Sequence, residues 1–270
     1  MAVITISRGS YSKGKEVAEG VASKLGYMCI SREVLLEASD HFNIPEIKLV
    51  RAIHDAPSIL DRVTHGKEAY IAYIQSALLE FAKKGEIVYH GLAGHILLRE
   101  IPQVLKVRII ANLDSRVVAE MEREKTIKKE ARSLILKDDQ ERRKWTKRLY
   151  GVDPWDASLY DLLICIDKIK VHGAIDIICQ AASYEAFKIT KKNQQQLSDL
   201  ALACQVKSKL LDLDSKVAVT AEFGNVIVRT KTDDRKARKL EENLRVLVKE
   251  IEGIHNIELR TREMRPSADA

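Results

Sequence analysis

The chain has 270 residues, a length that at about 100–200 residues per domain points to two domains. Its 46% hydrophobic and 31% charged residues, with 12 Gly and 5 Pro, exclude wholesale disorder and a collagenous or linker-dominated chain. The formal net charge of +6 admits a phosphorylated or polyanionic ligand without demanding one.

The first apolar run, Val3 to Ser7, begins almost at the first residue and reads as a strand. A glycine-containing turn follows, then a segment in which Val17, Val21 and Leu25 recur at helical spacing before Gly26, a C-cap residue. Strand, turn and helix in this order open many nucleotide-binding α/β proteins. Further β-rich apolar runs are Tyr27–Ile30, Glu86–His90, Leu105–Ala111 and Leu162–Ile166. They lack polar alternation, which predicts strands buried on both faces, hence a five-stranded parallel sheet covered by helices. One of those helices is the stretch ending at Gly85. The expected fold class is therefore a three-layer α/β/α domain over residues 1–188.

Residues 189–197 are polar, carry three successive glutamines and read as a linker. Beyond it, residues 198–263 give the pattern αββαβ, with a hairpin expected around Gly224-Asn225. Residues 264–270 read as a disordered tail. Cys29, Cys165, Cys179 and Cys204 show no metal-ligand spacing and suit a reducing compartment. The N-terminus lacks a signal-peptide pattern and no window suits a membrane span, so the expectation is a cytoplasmic protein.

Gly9 to Lys15 satisfies GxxxxGK. Such a loop curls its backbone N–H groups around phosphate oxygens at a helix N-terminus, where the dipole favours negative charge. On this reading Ser12, Lys13, Gly14 and Lys15 bind nucleotide phosphates, with Lys15 reaching the terminal ones. Glu16, counted with these nucleotide-binding residues, stands where Ser or Thr normally binds Mg²⁺; a carboxylate there could hold a nucleotide-bound metal through water or could repel the nucleotide. A bare surface turn is the competing interpretation; the position between strand and helix favours phosphate.

Between Arg116 and Arg148 lie twelve Lys and Arg against seven Asp and Glu. That concentration fits a solvated helix pair laced with ion pairs, a nucleic-acid surface, or a lid whose arginines close over transferring phosphates. Only Trp145 and Tyr150 supply aromatics and no nucleic-acid module is recognisable, so nucleic acid ranks last. Arg142 and Arg143, after Asp138-Asp139, suit the lid.

The segment from Ser7 to Tyr27 resembles the opening of the cytidylate kinase-like family, keeping Ser7, Arg8, Ser12, Gly14, Glu16 and Leu25-Gly26. The resemblance continues through Arg142 and Arg143 to Asp153, Tyr160 and Asp161. It implies a nucleoside monophosphate kinase fold, ATP with Mg²⁺ as donor, and a pyrimidine monophosphate such as CMP or dCMP as acceptor. Lys15, Arg142 and Arg143 would be catalytic, and Arg32, Gly91 and Asp161 would hold the acceptor. Two positions depart from the family: Ser31 replaces Asp before Arg32, and Leu92 replaces Arg after Gly91. These erode the acceptor side, so a nucleotide-binding regulator without turnover is the alternative. The C-terminal module resembles a BON domain in element order, implying a protein or small-ligand partner.

Overall fold

The structure is a computed structural model that describes residues 2–31, 33–42, 66–91, 93–211 and 213–261. Contacts group the chain into two compact units, 1–34 with 84–193 and 35–83 with 194–270.

The first unit is built on five strands, β1 (Val3–Arg8), β2 (Met28–Ile30), β3 (Ile87–Tyr89), β4 (Val104–Ala111) and β5 (Leu162–Ile166). All pair in parallel in the order β2-β3-β1-β4-β5, the sheet the apolar runs predict. Helix α1 (Gly14–Leu25) ends at Gly26, whose φ of 71° needs the left-handed region that glycine enters without Cβ cost. Helix α2 spans Glu33–Phe42, and α3 (Gly66–Lys84) ends at Gly85. The chain then forms α4 (Gly94–Leu97), α5 (Leu113–Glu124), α6 (Lys128–Tyr150) and α7 (Val171–Ala182).

One face of the sheet is apolar. Ile4, Ile6, Val88, Val107, Ile109, Ile164 and Ile166 pack with Val17 and Val21 of α1 and Ala174 and Ile178 of α7. Each isoleucine fully buried in this layer contributes about 1.5–3 kcal/mol of transfer free energy. A Cβ on Gly20 would land 2.3 Å from Ile175 Cδ1, so glycine sets the close approach of α1 to α7. The other face is buried as well, by Val3, Ile87, Tyr89 and Val104, and there Thr5 and Arg108 interrupt the apolar run expected from the sequence.

In the second unit α8 (Lys191–Leu210) precedes β6 (Ala218–Glu222), β7 (Asn225–Thr230), α9 (Asp234–Glu250) and β8 (Asn256–Thr261). β6 and β7 run antiparallel, β7 and β8 parallel, and α9 supplies the crossover that a parallel pair requires. Leu202, Val206 and Leu210 of α8 and Leu240, Leu244 and Leu247 of α9 cover Val226 and Val228 of β7.

Two local readings are corrected. Residues 191–197 of the expected linker form the start of α8. The Thr190 hydroxyl accepts the Asn193 N–H at 3.1 Å, as an N-terminal cap does, and Gln195 bonds Asp199 one turn on. The hairpin turns at Phe223-Gly224, because Asn225 already pairs with Glu222. Both turn residues have positive φ, 47° and 76°, as a two-residue turn matched to strand twist demands. The tail expected over 264–270 lies outside the described residues.

Candidate phosphate-transfer site

The loop between β1 and α1 is fastened to β4. Gly9 N–H donates to the Ile109 carbonyl at 2.9 Å, and the Ser12 hydroxyl donates to the carbonyls of Gly9 and Ile109 at 2.9 and 3.1 Å. Ser12 is thus a buried brace of the loop. Tyr11 and Lys13 hold left-handed conformations, φ 58° and 61°, each costing on the order of 1–2 kcal/mol for a non-glycine residue. A Cβ on Gly14 would stand 2.6 Å from Arg8 Cβ, so only glycine lets the helix start this close to the strand end. No side chain caps α1, which leaves its N-terminal N–H groups directed at the loop's concavity.

Lys15 lies in the first turn of α1 and runs along it to Glu19, 3.6 Å away and well exposed. Lys13 and Glu16 face the other way, onto an open cleft of about 640 Å³ that Tyr11, Arg116, Asp167 and Lys170 also line. A nucleoside fits that volume beside the loop. Among the described residues no group of three metal-binding side chains occurs. A Mg²⁺ accompanying a nucleotide would meet the carboxylates that line this cleft, Glu16, Glu122 and Asp167.

The helix α6 does reach the loop, and it does so through acids as well as arginines. Asp139 accepts the Ser10 N–H at 3.2 Å and an Arg116 N–H at 2.7 Å; Arg116 also donates to the Ser10 carbonyl at 3.1 Å. Asp138 accepts the Tyr11 hydroxyl at 3.0 Å, and Arg123 sits 4.8 Å over the Tyr11 ring. Tyr11, Arg116, Asp138 and Asp139 were not among the site residues expected from sequence. A signal existed in the last two, an acid pair separated by two residues from the double arginine that follows.

The two arginines part company. Arg142 is exposed, has no carboxylate within 4.0 Å among the described residues, and approaches Arg8 closely enough to disfavour its charge. Arg8, likewise without a carboxylate, is held below the ordinary arginine range by desolvation and then by Arg142. Arg143 instead chelates Asp153 at 3.0 and 2.6 Å and stacks 4.2 Å over Trp155. That bond, with Lys147 assisting, holds the Asp153 carboxyl well below the usual carboxylate range. Arg143 therefore secures the end of α6.

Of the residues expected to hold an acceptor, Gly91 packs against Tyr89; a Cβ there would come within 2.0 Å of the tyrosine oxygen. Asp161 faces Lys106 in this structure. It binds the Lys106 backbone N–H at 2.8 Å and the Lys106 ammonium at 3.5 Å, at the N-terminal end of β5. The loop is tied to Ile109, three residues further along β4 and roughly 10 Å away at the rise of a strand. Tyr160, its neighbour, is the residue of that pair that turns inward, onto Ser7, Arg108 and His95. Arg32 and Leu92 lie outside the described residues. His90 is pushed below its ordinary pKa by burial and by Arg8, so it is neutral at pH 7 beside the arginines.

A parallel sheet in this order, with a glycine-closed loop opening α1 and a basic helix laid across it, defines a phosphate-binding α/β protein of the P-loop kinase type. Residues 3–168 match the Cytidylate kinase-like family, and the chain belongs to it. It is 36% identical over 89 residues to a cytidylate kinase of Methanosarcina acetivorans, covering 32% of this chain and 48% of that one. Against a cytidylate kinase of Methanocaldococcus jannaschii it is 32% identical over 105 residues, 38% and 59% of the two chains. The chain thus spans about half the length of these curated relatives. The fold is shared with an uncharacterized protein from Eubacterium ventriosum, at a TM-score of 0.53 and 24% identity, over 67% of this chain and 97% of that one. Among the described residues no helix is long and apolar enough to cross a membrane.

Proposed function

We propose that the protein transfers a phosphoryl group from ATP to a nucleoside monophosphate, with CMP or dCMP the first acceptors to try. The observation that carries this reading is the uncapped N-terminus of α1, opened by a loop that Gly14 holds close to Arg8, whose charge is disfavoured by desolvation and then by Arg142. A phosphate at that N-terminus would relieve that cost. In-line transfer between phosphates needs little covalent help; it needs charge on the equatorial oxygens and exclusion of water. The loop and the α1 N-terminus hold the donor's phosphates, the cleft at Arg116 takes its nucleoside, and Arg142 neutralises the moving group. The acceptor oxygen is already a phosphate, so no general base is required. Glu16 faces the metal that accompanies the triphosphate.

The test is ATP-dependent transfer to a panel of nucleoside monophosphates. Arg142→Ala should lower kcat on the order of a hundredfold with the fold intact. Unchanged turnover would remove Arg142 from the reaction. Arg143→Ala should act through the stability of the α6 end instead.

A second reading, a nucleotide-binding regulator, is favoured by one observation. Asp139 already occupies the Ser10 N–H, and Lys15 is turned to Glu19. ATP binding with no transfer to any monophosphate would select it. In either case residues 1–188 would form the nucleotide-handling domain, and the BON-like module over 198–263 would contact a protein or small-ligand partner.

A further inference from the structure

On the sheet face away from α1 and α7, Thr5 and Ser7 of β1 lie in register with Lys106 and Arg108 of β4. Lys106 has Asp161 for company. Arg108 has no such partner. It is 7% exposed, and among the described residues no carboxylate lies within 4.0 Å of it. Its guanidinium donates to the Ser7 hydroxyl oxygen at 3.4 Å and the Tyr160 oxygen at 3.1 Å, and sits 5.5 Å from the Tyr160 ring. Both acceptors are neutral. His95, 3.1 Å from the Tyr160 oxygen, is neutral as well, its pKa pushed down to about 3 by burial and then by Arg108 and Lys106. A buried cation with only neutral neighbours is costly unless an opposite charge arrives to pair it.

Ser7 shows where that charge would arrive. Its oxygen accepts from Arg108, and its own O–H has no acceptor at O–H···O distance among the described residues: Tyr160 is 3.5 Å away and donates to the Pro154 carbonyl at 2.9 Å. Ser7 is half-buried at the C-terminal end of β1, next in the chain to Arg8. A hydroxyl polarised from behind by a guanidinium, with its proton uncommitted, is a donor waiting for an anion.

We propose that Ser7 and Arg108 form an anion-holding pair for the acceptor, with the Ser7 O–H donating to the phosphate of a nucleoside monophosphate and buried Arg108 supplying the counter-charge behind it. This rests on the phosphotransfer reading and adds to it the group that recognises the acceptor. Ser7 touches the ligand; Arg108 is a positioning residue acting through Ser7.

The experiment measures binding of CMP, dCMP, UMP, AMP and inorganic phosphate, and separately of a non-hydrolysable ATP analogue, by calorimetry on the full chain. The variants are Ser7→Ala, Arg108→Met, Arg108→Lys and the double Ser7→Ala/Arg108→Met. Expected is a loss of monophosphate affinity of tenfold or more in Ser7→Ala and in Arg108→Met, with ATP-analogue affinity kept. The double variant should lose little more than either single, and Arg108→Lys should recover part of the loss. Removing the buried charge should also raise the melting temperature of the ligand-free protein. Unchanged monophosphate and phosphate affinity in Ser7→Ala overturns the proposal, whatever Arg108→Met does to folding. A wild-type protein that binds neither a monophosphate nor phosphate overturns it as well. One that binds a monophosphate but transfers nothing to it overturns the phosphotransfer reading alone.

Discussion

Replacing Asp139 by alanine tests whether α6 is fastened to the phosphate loop through a shielded ion pair. The Arg116 and Asp139 side chains are only 11% and 16% exposed, and their bond measures 2.7 Å. An exposed pair of this kind contributes about 0–1 kcal/mol, whereas removing one partner of a fully buried pair costs about 3–5 kcal/mol. The exposure here places Asp139→Ala between these limits, at about 2 kcal/mol. To this is added about 1 kcal/mol for the Ser10 N–H left without its acceptor. A total of about 3 kcal/mol corresponds to a drop in melting temperature of roughly 6–12 °C for a unit of this size. Asp139→Asn, which can still accept from Ser10, should recover about a third of it. Denaturant unfolding followed by circular dichroism reads the effect, and the double variant Arg116→Met/Asp139→Leu isolates the pair, since it strands neither charge. A loss below about 0.5 kcal/mol in Asp139→Ala would refute the argument, because it would mean that water already screens the contact.

Other consequences are open to direct measurement. Gly14→Ala should cost about 1–3 kcal/mol by overpacking against Arg8 and should weaken ATP-analogue binding; a variant as stable and as tight as wild type would contradict the geometry. His95 titrates near 3 when folded and near 6.5 when unfolded, so the unfolded chain takes up a proton that the folded one does not. Stability should therefore fall as pH drops from about 6.5 towards 3, by up to about 1.4 kcal/mol per pH unit from this residue. His95→Gln should flatten that part of the stability–pH curve, and an unaltered slope would show that His95 is not shielded as described. Phe223 is 63% exposed at a positive φ, so Phe223→Asn should raise stability by about 1 kcal/mol, read as a higher midpoint in denaturant; a loss would mean the ring packs on something.

The sheet was legible because its strands are short apolar runs, and burial on both faces leaves a near-continuous pattern that propensity alone can find. Helix ends were legible where a glycine is obligatory, at Gly26 and Gly85. The start of α8 was not. Lysine and glutamine support a helix as readily as a solvated loop, and what decides between them is the Thr190 cap and the packing of Leu197 and Ala201. The hairpin was displaced by one residue because Gly-Asn is a familiar turn pair, while the register with β6 puts Asn225 in the ladder. In the site, position along the chain misled where direction mattered. Arg142 and Arg143 are adjacent in sequence, but about 100° of helix rotation sends one towards Arg8 and the other to Asp153. Tyr160 and Asp161, also adjacent, likewise engage different partners, Arg108 and Lys106, which a motif holding both could not tell apart. The buried charge of Arg108 was hidden for a simpler reason: a lone arginine in an apolar strand looks like an exposed interruption until its neighbours are known.

The sheet is also unequal in its stitching. β1 and β4 pair over six residues, from Val3–Val104 to Arg8–Ile109, and the loop between β1 and α1 is tied to that seam. β2 and β3 share three pairs, and the segments that follow them carry Ser31 and Gly91, two of the positions weighed for an acceptor. Amide hydrogen exchange should consequently be slow along the seam and fast along the margin, since a three-rung ladder opens at small cost. A lineage built on such a frame can redraw what lies at the loosely stitched edge while the loop at the seam stays sewn in place.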